Sequence, residues 1–273
     1  MHLLTAQETE RDDWKKAQLM GLSDIIDAVA EGGIEFTCDF ETGLHDHLPE
    51  GMTMRVTEMI WDGAGVALSG DDLQLQHKLA DAAKRCDWAV VAAILEEEPR
   101  LVNSTRPGGP SLFAPLHQAA YANAPVEVIR DLVARGGWLT LENARGERPV
   151  DVATRRGHNE AAAELEPRLA RTVPYGVLAK IQQHFHEVIR GRVADLVEES
   201  RLRLPELQPL LETETCEVYF PVPGMYGGFS YCLEEEGVEA KLVAESWCRV
   251  AGGSGQRHEI TSAGSTLVAE GFV

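Results

Sequence analysis

Residues 115–165 read PLHQAAYANAPVEVIRDLVARGGWLTLENARGERPVDVATRRGHNEAAAEL, and this stretch decides how the chain is parsed. Pro115-Leu116-His117 recurs as Pro149-Val150-Asp151, at a spacing of 34 residues. A proline suits the first turn of a helix, where its missing N–H has no partner to lose. Leu116, Ala119 and Ala120 then form one apolar face at helical spacing. Val128, Ile129, Leu132 and Val133 form the face of a second helix. Gly136 suits the left-handed position that ends it, and Asn143 with Gly146 suits a tight turn before the next proline. A unit of two short helices and a turn, repeated at about 33 residues, is the sequence sign of a helical stack.

These residues resemble the ankyrin repeat. Ala114-Pro115-Leu116-His117, Ala119-Ala120, Leu132-Val133, Gly136 and the turn from Asn143 to Pro149 fall in register with the family pattern. Ala153, Gly157-His158, Glu160 and Leu165 continue it. Leu79-Ala80-Asp81-Ala82-Ala83, with Ile94-Leu95 and Pro99 to Asn103, reads as an earlier, degenerate unit. Its extra residues fall in the loop Arg106 to Pro110. The resemblance covers about three repeats, near the minimum for such a stack. It implies that His117 hydrogen-bonds between repeats, and that Asp151, standing where the family has histidine, makes a weaker link. It also implies a protein-binding concave face carrying Lys84, Tyr121 and Arg155, with fingertip contacts from Trp138 and Arg145. Tyr, Trp and Arg dominate interface energetics.

The rest of the chain reads as α+β. Four segments are expected: an N-terminal α+β segment over 1–74, the repeats over 75–170, capping helices over 171–212, and an antiparallel β segment over 213–273. In the first, 12–30 patterns as a helix, Ile34 to Phe40 alternates as a strand, and Met52 to Val56 and Ile60 to Leu68 read as short strands. Val177, Leu178, Ile181, Phe185, Val188, Ile189, Leu196 and Val197 form the stripe of a long helix expected to cap the stack. A short helix is expected from Pro205 to Leu211. Beyond Thr213, strands are expected at Glu217–Phe220, Phe229–Leu233, Ala240–Val250 and Arg257–Thr261, with the N-terminal strands available to complete the sheet.

The formal net charge is −19. Phosphate binding needs a basic face, so this balance argues against nucleic acid. It serves solubility first, and it also suits a basic protein partner. No apolar run is long enough to cross a membrane, and Met1 to Arg11 lacks a secretory pattern. The five cysteines form no CxxC pair, which fits free thiols in a reducing cytoplasm.

Chemistry-bearing residues are few. Gly252 to Gly255 followed by Arg257, His258 and Glu259 could cradle an anion, and Tyr226 and Arg249 could join Arg257 and His258 around a pocket. The run lacks the ending of a known phosphate loop. His184 and His186 are two apart on a helix and point apart, so they cannot share a metal. His45 and His47 have no third ligand. No cofactor is implied. The reading favoured by the sequence is a non-catalytic scaffold that binds a protein, in one form an inhibitor or immunity-type protein for a basic partner. The alternative is a small-molecule or enzymatic site in the C-terminal sheet around Tyr226, Arg249, Arg257 and His258.

Overall fold

The computed structural model describes residues 59–63, 70–213, 217–248 and 254–271, all within one compact unit, Thr57–Val273. The elements expected in 12–56, the paired histidines His45 and His47, Arg249, and Gly252-Gly253 lie outside the described residues. The fold is α+β: short helices in pairs, one long helix, and a six-stranded mixed sheet.

The helix pairs come first. Helices α1 (Gly70–Lys84) and α2 (Trp88–Glu97) are followed by a 3-10 turn, Pro99–Asn103. Helices α3 (Pro115–Ala122) and α4 (Val126–Ala134) follow, then α5 (Pro149–Arg156) and α6 (Asn159–Glu164). Pro115 and Pro149 each open a helix. Helix α3 ends on Asn123 and α5 on Gly157, both left-handed. After α4, a side chain at Gly137 would meet the Leu132 carbonyl at 2.8 Å and Leu116 at 2.9 Å, so only glycine fits there. Helices α1, α3 and α5 pack side by side, and α4 packs on α6. Their shared core is small and aliphatic: Leu79, Ala82, Leu95, Leu116, Ala119, Ile129, Leu132, Val152 and Ala161. Alanines on the facing surfaces let helix axes approach closely.

His117 lies within this core, fully buried. Its Nδ1 accepts from the Ala114 N–H at 3.3 Å, which leaves Nε2 to donate to the Glu147 carbonyl at 3.1 Å. The side chain thus ties α3 to the turn before α5. Burial pushes its pKa down to about 4. Asp151 occupies the corresponding place on α5. Its carboxylate accepts from the backbone N–H and Nε of Arg148, both at 2.9 Å, so these bonds cap its own helix.

The second layer is helix α7 (Tyr175–Glu199) packed on the sheet. The strands are β1 (Met59–Ile60), β2 (Val218–Val222), β3 (Gly227–Leu233), β4 (Leu242–Cys248), β5 (Ser254–Thr261) and β6 (Gly264–Gly271), in that spatial order. Strand β1 pairs parallel to β2, with Met59 opposite Val218, and every later pair is antiparallel. The sheet is therefore mixed, not purely antiparallel as the sequence suggested. It also has a sixth strand, β6, which the sequence reading lacked. Its side chains are almost all exposed, so no buried face imposes an alternating pattern to read. The expected helix after Pro205 is a 3-10 turn, Gln208–Leu211.

Leu178, Ile181, Phe185 and Ile189 of α7 are buried in the sheet's core, together with Phe220, Phe229, Tyr231, Leu242 and Ile260. Phe185 sits at the centre, 4.9 Å from the Tyr231 ring and 6.3 Å from Phe229. The helix departs from helical geometry at Val193. The stripe expected to close the end of the stack is thus covered by the sheet.

Candidate functional site

The loop 138–143 and the segment 203–212 are joined by a buried polar network. Trp138 stacks on Trp61, with ring centroids 5.7 Å apart. The Arg203 guanidinium lies 5.0 Å from the Trp61 ring, and Trp61 Nε1 donates to the Arg203 carbonyl at 2.8 Å. Arg203 also binds the Glu142 carbonyl and the Glu206 carboxylate. Glu206 accepts from the Glu142 N–H at 3.0 Å. The Glu212 carboxylate accepts from the N–H groups of Leu139 (2.9 Å) and Thr140 (2.8 Å) and from the Thr140 hydroxyl (2.5 Å). Burial raises the Glu212 pKa despite these donors.

This network corrects the expectation for Trp138. The indole is 7% exposed and faces Trp61, so it cannot serve as a fingertip contact. Local sequence did not show this, because Trp61 is supplied from far along the chain beside β1. Arg145 remains exposed in its turn.

The inner-helix positions behave differently. Lys84 is the last residue of α1, Tyr121 stands in the last turn of α3, and Arg155 stands in the last turn of α5. All three are exposed. The Arg156 guanidinium lies 4.4 Å from the centre of the Tyr121 ring, and Phe113 meets the same ring edge-on at 6.2 Å. Arg155 forks onto Glu147 through Nε at 2.5 Å and a second nitrogen at 3.2 Å. The sequence named three of these residues and missed Arg156 and Phe113. No local signal marked them, because their contacts with Tyr121 come from a neighbouring helix and from the segment ahead of α3.

The C-terminal residues do not converge. Arg257 and His258 are neighbours on β5 and face opposite sides of the sheet. Arg257 pairs with Glu245 on β4 at 2.8 Å. His258 faces the helix side, where partial burial and the Arg192 charge lower its pKa. Tyr226 sits in the β2–β3 turn with φ 53° and is 59% exposed. Trp247 stacks on Tyr219 at 5.3 Å. An open cleft of about 320 Å³ lies elsewhere, between Pro125, Glu127 and Glu160. Among the described residues, no group of His, Cys, Asp and Glu could hold a metal, and no helix is long and apolar enough to cross a membrane.

No protein-family model and no curated protein matches the chain. Among solved structures it is similar to a chain in the complex of a predatory endopeptidase from Bdellovibrio bacteriovorus with an immunity protein. That match has 20% identity, covers 45% of this chain and 67% of the other, and has a TM-score of 0.29. A likeness at that TM-score carries no argument about fold or activity.

Proposed function

We propose that the chain is a non-catalytic protein-interaction scaffold, with α1 to α6 forming a short stack of the ankyrin type that takes a protein partner on its inner-helix face. The observation that carries this reading is the exposed Tyr121, flanked by Arg156 and Phe113 and in line with Lys84 and Arg155. A half-exposed aromatic braced by Arg156 and Phe113 is a low-entropy anchor for a partner, because those contacts restrain its rotamer in the free protein. The register of Pro115, His117, Gly136 and Gly146 with the family pattern supports the stack. The fingertip edge beside Trp138 is occupied by the chain's own 203–212 segment, which leaves the inner face as the open one.

The test is capture by the full chain beside a Tyr121→Ala/Arg155→Ala variant whose circular dichroism matches the wild type. One stoichiometric protein held by the wild type and lost by the variant is the expected result. A partner held equally by both would overturn the inner-face assignment.

A further inference from the structure

The inner-helix face reverses the charge of the chain that carries it. The whole sequence has a net charge of −19, yet Lys84 closes α1 with Arg85 directly after it, and Arg155 and Arg156 close α5. Arg85 is exposed, as are Lys84 and Arg156. Helix C-termini favour cations, and that accounts for the placement of these residues on their own helices. It does not account for Arg156 lying 4.4 Å from the Tyr121 ring, on a helix packed beside α3, with α1, which Lys84 ends, also packed on α3. The nearby carboxylates are largely engaged: Asp81 with Arg106, Glu147 with Arg155, and Asp87 with the backbone of Val90. Lys84, Arg85 and Arg156 have no ion-pair partner among the described residues.

Resting on the scaffold reading above, we propose that the partner presents an acidic peptide segment to this face, its carboxylates meeting Lys84, Arg85 and Arg156 across the Tyr121 ring. Three helices side by side at ordinary spacing span about 20 Å. An extended segment of about six residues covers that distance. Arginine forks suit carboxylates in two-pronged geometry. The Tyr121 ring provides a flat apolar surface between the charges. The net charge of −19 favours a basic partner at long range. At contact distance the local charges decide, because solvent and salt screen the rest of the surface within about 10 Å.

The experiment is selection of a phage-displayed random peptide library on the full chain, followed by fluorescence anisotropy with the selected peptides. Wild type is compared with Lys84→Glu/Arg85→Glu/Arg156→Glu and, separately, with Tyr121→Ala. Acidic peptides that bind wild type, weaken with added salt, and bind the charge-reversed variant at least about tenfold more weakly are the expected result. Basic or uncharged peptides that still lose binding on Tyr121→Ala would overturn the acidic assignment while leaving the inner face as the site. Acidic peptides that bind all three proteins alike would overturn the scaffold face itself. A library yielding no binder to wild type would overturn the acidic assignment.

Discussion

In the helix pairs, neighbours in space are near neighbours in sequence. Leu116 packs in one core with Leu132, and His117 reaches Glu147 in the next turn. In the sheet layer, the contacts are distant. Phe185 of α7 meets Phe229 and Tyr231, and Met59 pairs with Val218 across most of the described chain. The first region repeats a small aliphatic motif, whereas the second closes one aromatic core from several separate segments. Local contacts are announced by periodicity and turn residues. Distant ones depend on which apolar faces happen to be left over after the local units have formed.

Four substitutions or conditions separate the two regions. The largest effect belongs to Phe185→Ala. It empties a fully buried site between α7 and β3 and should cost about 3–5 kcal/mol in urea unfolding. The near-ultraviolet circular dichroism of the aromatic core should weaken with it. A loss under about 1 kcal/mol would mean that the layer does not close around this ring.

Acid comes next and acts on the helix pairs. The folded pKa of His117 lies near 4, below its ordinary value of 6.5. The unfolded chain therefore binds the proton first. The stability His117 contributes is complete above about pH 6.5 and is lost as pH falls toward 4, by an amount of order 3 kcal/mol. Denaturant midpoints measured across that range should fall for wild type and stay flatter for His117→Gln. Glu212 has the opposite sign. Its folded pKa is raised by burial, so the stability linked to it is largest below the ordinary carboxylate range and declines as pH rises through the folded value. Acid should thus weaken the helix pairs relative to the joint between the regions.

Removing the Glu212 carboxylate tests that joint directly. Glu212→Ala strips the acceptor from the N–H groups of Leu139 and Thr140, at a cost of about 1–3 kcal/mol. Amide exchange should rise at those two residues while the N–H of Ala124, inside the helix pairs, stays protected. Equal exchange at both places would mean that the two regions open together. The smallest effect on stability belongs to Tyr121→Ala. Its ring is 44% exposed, and loss of its contacts with Arg156 and Phe113 should cost less than about 1 kcal/mol. Its effect should appear in partner binding, and unfolding and binding measured on one sample would separate the two.

The sequence was most legible where a residue answers to its own backbone. Pro115, Pro149, Gly136 and Gly146 mark helix starts and turns, and each stands in that role. The exposure of Lys84, Tyr121 and Arg155 followed from their place beyond the packed alanines. Trp138 was misread because an indole in a turn looks the same whether it faces solvent or a second tryptophan 77 positions earlier. Strand β6 was missed because an exposed edge strand carries no alternating buried face. Arg257 and His258 looked like neighbours in one pocket, yet adjacency in a strand places side chains on opposite faces.

What the sequence determined by itself is the set of local units: paired helices with their caps, one long apolar stripe on 175–199, and short strands broken by glycine. Each of these depends on contacts within a few residues, and such contacts cost little loop entropy to close. Tertiary structure alone decided where the stripe was buried, which residue covered Trp138, and how Met59 joined the sheet. Those outcomes depend on competition among exposed apolar faces and on the need to pair every buried polar group, as Arg203, Glu206 and Glu212 do at the joint.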